Sequence, residues 1–359
     1  MDIETAILLF VASITPIITP EVLKLIAGID EFKGLWRALK TLSPDTLSEL
    51  RQTATIESVG SSTRIEGARL TDRQVATLLA NLKIESFRSR DEEEVAGYAT
   101  AMNLVFDAWD AMALTENHIR QLHRVLLQFS SKDERHRGEY KTNTNHVAAF
   151  DADGKQIGIV FETATPFDTP FEMEKLVRWA DDAQREGVLH PLLIVGVFVV
   201  WFLAIHPFQD GNGRLSRVLT TLLLLRFGYA YVPYSSLESI IEENKSGYYT
   251  ALRQTQLTLK TENPAWEPWL MFFLRCLTRQ KERLARRIEA QENLMSDLSS
   301  LATGIVNLLA TEGKVSVARV VEALKANRNT AKAALKTLTK RGLIAQCGKG
   351  RGVYYTLRQ

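Results

Sequence analysis

Nine residues at positions 206 to 214, His-Pro-Phe-Gln-Asp-Gly-Asn-Gly-Arg, follow directly on fourteen apolar ones, Leu192 to Ile205. A hydrophobic core has no use for an imidazole, a carboxylate, an amide, two glycines and a guanidinium in so short a span. The combination suits an anion. Backbone N–H groups at Gly211, Asn212 and Gly213 can converge on phosphate oxygens, and a helix opening behind them adds the positive end of its macrodipole. Arg214 and Arg217 lie three apart, so they share a helix face and suit two neighbouring phosphates. Asp210 would repel a phosphate unless a divalent cation lay between them, which makes Mg2+ the natural bridge. His206, poised near neutral pH, fits a general base acting on an incoming hydroxyl. The plain alternative is a charged loop capping a helix.

These side chains need a frame. Pro207 should end the apolar helix and leave His206 at its terminus, after which the glycine-rich loop opens a second helix, "RLSRVLTTLLLLRFG". Fourteen apolar residues are too few for a membrane span, which takes about 20, so Leu192 to Ile205 reads as a buried core helix. Helical patterns dominate elsewhere. "TDRQVATLLANL" opens on the N-cap residue Thr71, and "EEEVAGYATAMNLVFDAWDAM" and "FEMEKLVRWADDA" repeat apolar residues at three and four spacing. One hairpin stands out, "NHVAAFDADGKQIGIVFETATP", with the turn "DADG" between two β-prone runs.

"NPAWEPWLMFFLRCLTRQKERLARRIEAQENLM" turns from an apolar stretch into a highly charged one and reads as a long connecting helix, with a boundary near Ser296. Beyond it come a helix, a short helix, the polar turn "ANRN", a further helix and a segment alternating around a Gly/Lys/Arg turn, together the outline of a winged helix-turn-helix. From Asp297 to Gln359 there are 11 Lys/Arg against 3 Asp/Glu, although the whole chain of 359 residues carries only +2. Lys332, Lys336, Lys340 and Arg341 run along the candidate recognition helix, with Lys349 and Arg351 in the wing, so DNA is one reading. A solvated helix face, or a protein-binding module, is the other.

The two cysteines, Cys276 and Cys347, form neither a disulfide framework nor a zinc spacing and fit a reducing cytoplasm. "AILLFVASITPIITP" follows Asp2 and Glu4 where a signal peptide would be basic, so it reads as a packed N-terminal segment of a soluble protein with no membrane partner.

"HPFQDGNGRLSR", His206 to Arg217, resembles the Fic family motif H-x-F-x-D/E-G-N-G-R-x-x-R at every specified position, and the resemblance runs from about Leu47 to Leu277. It implies a mainly α-helical Fic bundle with a small β-hairpin flap. The expected domains are a helical region at 1–110, the Fic core at 111–280, a linker helix at 281–296 and the winged helix at 297–359. It implies transfer of AMP from ATP to a Ser, Thr or Tyr hydroxyl of a target protein. By matching position His206 is the base, Phe208 anchors the loop, Asp210 holds Mg2+, and Gly211, Asn212 and Gly213 form the anion hole. Arg214 and Arg217 clamp phosphates, Arg217 nearest the γ position, and Leu215 and Ser216 belong to the same ATP-binding stretch. Attack at the α-phosphorus needs in-line alignment and charge stabilisation more than covalent help. Doc relatives, which transfer a terminal phosphate, carry Lys at the position of Gly213.

"STRIEG", Ser62 to Gly67, matches the inhibitory pattern S/T-x-x-x-E-G/N of the same family. Read alone it is a helix end with Gly67 as the residue after the cap. With the resemblance, Glu66 pairs with Arg217, takes the place of the γ-phosphate and turns ATP into an unproductive pose; in some relatives the same glutamate supports removal of AMP. Phe161, Glu162, Thr163 and Ala164 fall where the flap approaches nucleotide and target, and an extended target segment could add to that edge. Tyr248, Tyr249 and Gln256 match the stretch that walls the adenine, or are core aromatics of an amphipathic helix. Fic domains often pair through their surfaces, which leaves a homodimer open. Two other functions stay open as well: an ATP-sensing transcriptional regulator acting through the winged helix, and transfer from a different nucleotide donor.

Overall fold

The computed structural model describes residues 18–38, 42–81, 87–150, 156–261, 263–296, 300–348 and 350–358. The apolar N-terminal segment up to residue 17, the "DADG" turn and Lys349 lie outside them. The chain divides into two compact units, Met1–Arg283 and Leu284–Gln359.

The first unit is mainly helical. Its centre is the helix α7, Pro191–Ile205, in which every residue from Leu192 to Ile205 is buried. A helix apolar on all faces has to be enclosed on all faces, and α6, Thr169–Glu186, and α8, Asn212–Arg226, pack against it. Gly196 admits close approach from a third side: a Cβ there would meet Leu270 Cδ2 at 2.8 Å, and the Trp269 indole N–H donates to the Gly196 carbonyl at 2.8 Å. His190 caps the start by accepting the Leu192 N–H at 3.2 Å, with Pro191 at the first position, where no N–H is needed.

Five further helices lead into this core: α1 (Pro20–Ala38), α2 (Pro44–Ile65), α3 (Asp72–Ala80), α4 (Arg90–Ala108) and α5 (Glu116–Leu126). Thr71 caps α3 in a full capping box with Gln74, as the sequence predicts. Small residues Ser58, Gly60, Ser61, Ser62 and Thr63 are all buried near the end of α2, where the helix lies against α4 and α9, Leu237–Glu243. The hairpin is present as β1, His146–Phe150, antiparallel to β2, Gln156–Glu162, with Val147 opposite Phe161 and register shifts on either side of Ala148–Ala149. α10, Lys245–Gln256, and α11, Glu267–Ser296, complete the set. α11 starts at Glu267 rather than at the Asn263 of "NPAWEPW", since Pro264 disfavours helix before it while Pro268 is tolerated in the first turn.

Two further starts differ from the sequence expectation. α8 begins at Asn212, two residues before Arg214, because Gly211 takes the left-handed conformation (φ 81°) and serves as the N-cap inside the glycine-rich loop. In the second unit Asn327 accepts the Asn329 N–H at 2.9 Å, so the helix begins at Arg328 inside the expected polar turn.

The second unit contains α12 (Ser300–Glu312), α13 (Val317–Leu324), α14 (Arg328–Lys340) and an antiparallel pair, β3 (Ile344–Cys347) with β4 (Tyr354–Leu357). Val315 bridges to Tyr355 on the outer edge of β4. Ile305, Leu309, Val320, Leu335, Leu338 and Ile344 form its core. Cys276 and Cys347 are free thiols. Among the described residues no helix is long and apolar enough to cross a membrane.

Candidate active site

The loop between α7 and α8 is held rigid from below. Phe208 is fully buried and stacks on His123 at 3.8 Å between ring centroids. His123 Nδ1 accepts the Gly138 N–H at 2.9 Å, which leaves the Nε2 proton to bond the Asp210 carbonyl at 3.0 Å. Burial pulls this imidazole down to about 4, so it is neutral and keeps both bonds at physiological pH. The Asn212 side chain closes the loop on itself, accepting the Phe208 N–H at 2.9 Å and donating to its carbonyl at 2.7 Å. Asn145 adds a second donor to that carbonyl at 2.7 Å.

His206 sits at the end of α7 with φ 52°, a left-handed conformation costing about 1–2 kcal/mol for an L-residue. Its amide donates to the Phe202 carbonyl at 2.9 Å, and Pro207 forbids any further turn. Nδ1 lies 3.3 Å from the Leu203 carbonyl, a contact that places the proton on Nδ1 and leaves the Nε2 lone pair for a substrate proton. Burial, joined by the Lys141 ammonium, lowers this group to about 4, so it is an unprotonated base at neutral pH. Lys141 donates to the Ile205 carbonyl at 3.0 Å, to Asn145 Oδ1 at 2.8 Å and to Thr163 Oγ1 at 2.9 Å. It ties the base of the flap to the end of the helix that presents His206. Burial brings it down to about 8, which still leaves it mostly cationic at pH 7.

Asp210 faces cations. Oδ1 accepts the Gly211 N–H at 2.5 Å and Arg214 Nη2 at 3.1 Å, and Oδ2 accepts Arg90 Nη2 at 3.3 Å. Burial opposes its ionisation, but Arg214, the Gly211 amide and Arg90 outweigh it and hold the carboxyl below its ordinary range. Among the described residues no group of three His, Cys, Asp or Glu is arranged around a metal. One ionised carboxylate is nevertheless what Mg2+ takes from a protein when substrate phosphates and water supply the other ligands. Gly211 gives α8 no side-chain cap, so the first-turn amides face outward beside this carboxylate.

Arg217 is buried, and its partners come from α2. Nε donates to Ser62 Oγ at 2.8 Å, while Nη2 reaches the Ser62 carbonyl at 2.9 Å and Glu66 Oε1 at 2.8 Å. Burial works against its charge, and Glu66 more than restores it. Among the described residues Nη1 is buried without a hydrogen bond of good geometry, which leaves it able to meet a further acceptor. Glu66 caps α2, followed by Gly67 at φ 106°, and 33% of its side chain remains accessible. Its carboxylate lies over the start of α8: a Cβ on Gly213 would fall 2.3 Å from Glu66 Oε1. Gly213 therefore does more than distinguish this motif from the Doc pattern, since any larger side chain there would displace Glu66. The helix end is itself pinned. Arg64 forks onto Glu242 at 2.7 and 2.9 Å and pairs with Asp72 at 2.9 Å, and the Tyr249 hydroxyl donates to the Ile65 carbonyl at 3.4 Å.

The other residues singled out from the sequence fall as follows. Arg214 turns to Asp210 and Glu94 while Arg217 turns to Ser62 and Glu66, so each arginine has its own carboxylate. Leu215 is fully buried and its N–H is spent on the Gly211 carbonyl at 2.8 Å; it offers a ligand nothing polar, a consequence of the early start of α8. Ser216 donates to the Gly213 carbonyl at 2.8 Å. Tyr248 is buried and helps line a small cavity with Val199, Ser216, Arg217 and Trp269, and Tyr249 is exposed beside it. Gln256 is buried at the end of α10, two turns beyond Tyr249. On the flap, Phe161 and Ala164 are half-buried and Glu162 is exposed. Thr163 is buried and uses its hydroxyl inward, donating to the Asn145 carbonyl and accepting from Lys141, so it anchors the flap. His123, Lys141 and Asn145 went unnoticed in the sequence because each is isolated there; only the "HRGEY" turn after α5 brings them under the loop.

With this geometry in hand, comparison with known proteins gives first a class. Residues 113–224 match the sequence model of the Fic/DOC family. More particularly, it is 28% identical over 213 residues to the protein adenylyltransferase Fic of Drosophila melanogaster, a match covering 59% of this chain and 39% of that one. The chain thus spans about two fifths of the length of the curated relatives it matches. A Fic domain containing signaling protein from Bacteroides thetaiotaomicron superposes with a TM-score of 0.59 at 27% identity, covering 71% of this chain and 94% of its own. A Fic family protein from Desulfovibrio desulfuricans shares the fold at 22% identity, with a TM-score of 0.63 over 95% of this chain and 96% of its own.

Proposed function

We propose that this chain transfers AMP from ATP to the hydroxyl of a Ser, Thr or Tyr on a target protein, and that Glu66 restrains the reaction. The observation that carries the reading is the conjunction of a neutral, half-buried His206 with the uncapped first turn of α8 and the orphaned Nη1 of Arg217. His206 Nε2 takes the hydroxyl proton as the oxygen attacks the α-phosphorus, and pyrophosphate leaves. The amides of Asn212 and Gly213 and the side chains of Arg214 and Arg217 stabilise the charge that develops on the phosphates. Asp210 would hold Mg2+, which would supply charge neutralisation for the phosphates. Burial, joined by Lys141, keeps the base unprotonated, and Lys141 fixes the flap, whose edge near Phe161 and Glu162 would register an extended target segment. Tyr248, Tyr249 and Gln256 would flank the adenine.

Restraint follows from the place of Glu66. Its carboxylate satisfies Arg217 and covers Gly213, so a γ-phosphate arriving at either meets a like charge. In the reverse direction the same carboxylate could orient water for removal of AMP. The test incubates Glu66→Gly with Mg2+ and ATP labelled on either the α or the γ phosphate, with and without excess GTP, CTP or UTP. Label from the α position alone, competed by no other nucleotide, is expected. Label from the γ position would replace the reaction by phosphoryl transfer. No label with ATP still bound would turn the reading to an ATP-sensing regulator.

A further inference from the structure

The second unit carries a surface that the transfer reaction does not use. Arg328, Lys332, Lys336 and Lys340 recur every four residues along α14 and are all exposed. The opposite face of the same helix, Ala331, Leu335 and Leu338, is spent in the core of the unit. Four cations at this spacing make three like-charge i,i+4 pairs, each destabilising a helix by about 0.2–0.5 kcal/mol. None of the four has an ion-pair partner among the described residues. The contrast with α13 is local: there Arg319 is bound to Glu312 and Glu322. From Ala323 to Gln359 the sequence has no Asp or Glu at all.

We infer that this face of α14 binds duplex DNA, with the helix laid in the major groove. A helix fits that groove, about 12 Å wide, and the stripe from Arg328 to Lys340 runs about 18 Å, enough to reach phosphates on both sides. The exposed residues beside the cations at the N-terminal half, Asn329, Thr330 and Ala333, are small, so the backbone can approach base edges there. Alternative polyanions fit less well. The deep, narrow major groove of duplex RNA excludes a helix, and a membrane surface needs an exposed apolar face that α14 has already buried. The inference stands apart from nucleotide transfer.

The test measures fluorescence anisotropy of a labelled 30-base-pair duplex of mixed sequence with the full chain, from 50 to 200 mM salt. Lys332→Glu/Lys336→Glu is the variant, and Arg178→Glu, an exposed position of the first unit, is the control. Four phosphate contacts predict about 100-fold weaker binding across that range, a log–log slope near −3.6. The variant should bind at least tenfold more weakly at 50 mM with the slope reduced by about 2, and the control should match the wild type. Reversal relieves like-charge pairs on the helix, so melting of the variant at or above the wild-type temperature separates lost binding from lost folding. No binding at 50 mM, equal binding by the variant, or tighter binding to polyglutamate or anionic vesicles than to DNA would overturn the inference.

Discussion

The cations of the two units are handled in opposite ways. In the first, Arg214 and Arg217 are 3% and 4% exposed and each is matched to a carboxylate. In the second, the four cations of α14 are exposed and, among the described residues, unmatched. A buried guanidinium is costly unless paired, so the site can afford only as many as one small anion needs, and it must hold a substitute carboxylate while that anion is away. An exposed ammonium costs little by itself, so a stripe can persist if a polyanion uses it. Under the proposed function, pairing separates a site switched by exchange of anions from a surface suited to a polyanion.

Several measurements sharpen or break this difference. The largest effect is expected in the site's foundation. Phe208→Ala should cost about 3–5 kcal/mol, read as a fall in denaturation midpoint, and abolish labelling, because the ring that supports the loop against His123 is lost. A stability near wild type would mean that the loop is not held from below. Next comes pH. His123 and His206 are pulled from 6.5 to about 4 in the folded chain, so the unfolded chain binds protons that the folded one refuses. Stability is full above about 6.5 and should fall as pH drops toward 4, seen as a declining melting temperature. For catalysis, burial and then Lys141 keep His206 low, so Lys141→Met should move the acid limb of kcat/KM to higher pH while Lys141→Arg largely restores it. An unmoved limb would reduce Lys141 to a flap anchor. The smallest effect belongs to the second unit. Lys332→Glu/Lys336→Glu should leave labelling unchanged and raise stability by about 1 kcal/mol, since it turns two of the three like-charge pairs into opposite-charge pairs and leaves the third alike. A loss of stability would mean that those lysines are partnered after all.

The sequence made the loop legible because its chemistry is contiguous: His206 to Arg217 lie within one loop and one helical turn, and Pro207 and the glycines announce the break between two helices. Glu66 was legible only through the pattern around it, since a helix-terminal glutamate before glycine has an ordinary reading. What placed it was the run of small residues from Ser58 to Thr63, which lets the end of α2 sink against its neighbours until Ser62 and Glu66 reach Arg217. His123, Lys141 and Asn145 were not legible. Their roles depend on contacts 63 to 87 residues away in the chain, and nothing in their own surroundings signals them. The early starts of α8 and α14 were missed for a shared reason: Gly211 and Asn327 each act as a cap inside what reads as a loop.

The central claim is that Glu66 stands where a phosphate must go and His206 acts once it leaves. The direct measurement is the rate of α-label incorporation at saturating ATP and Mg2+ for the wild type, Glu66→Gly and Glu66→Gly/His206→Ala. Release should raise the rate at least tenfold, a change of about 1.4 kcal/mol or more, and loss of the base should then lower it by about 10²–10⁴. Equal rates for the wild type and Glu66→Gly would contradict the restraint, and a double variant as active as Glu66→Gly would contradict the base.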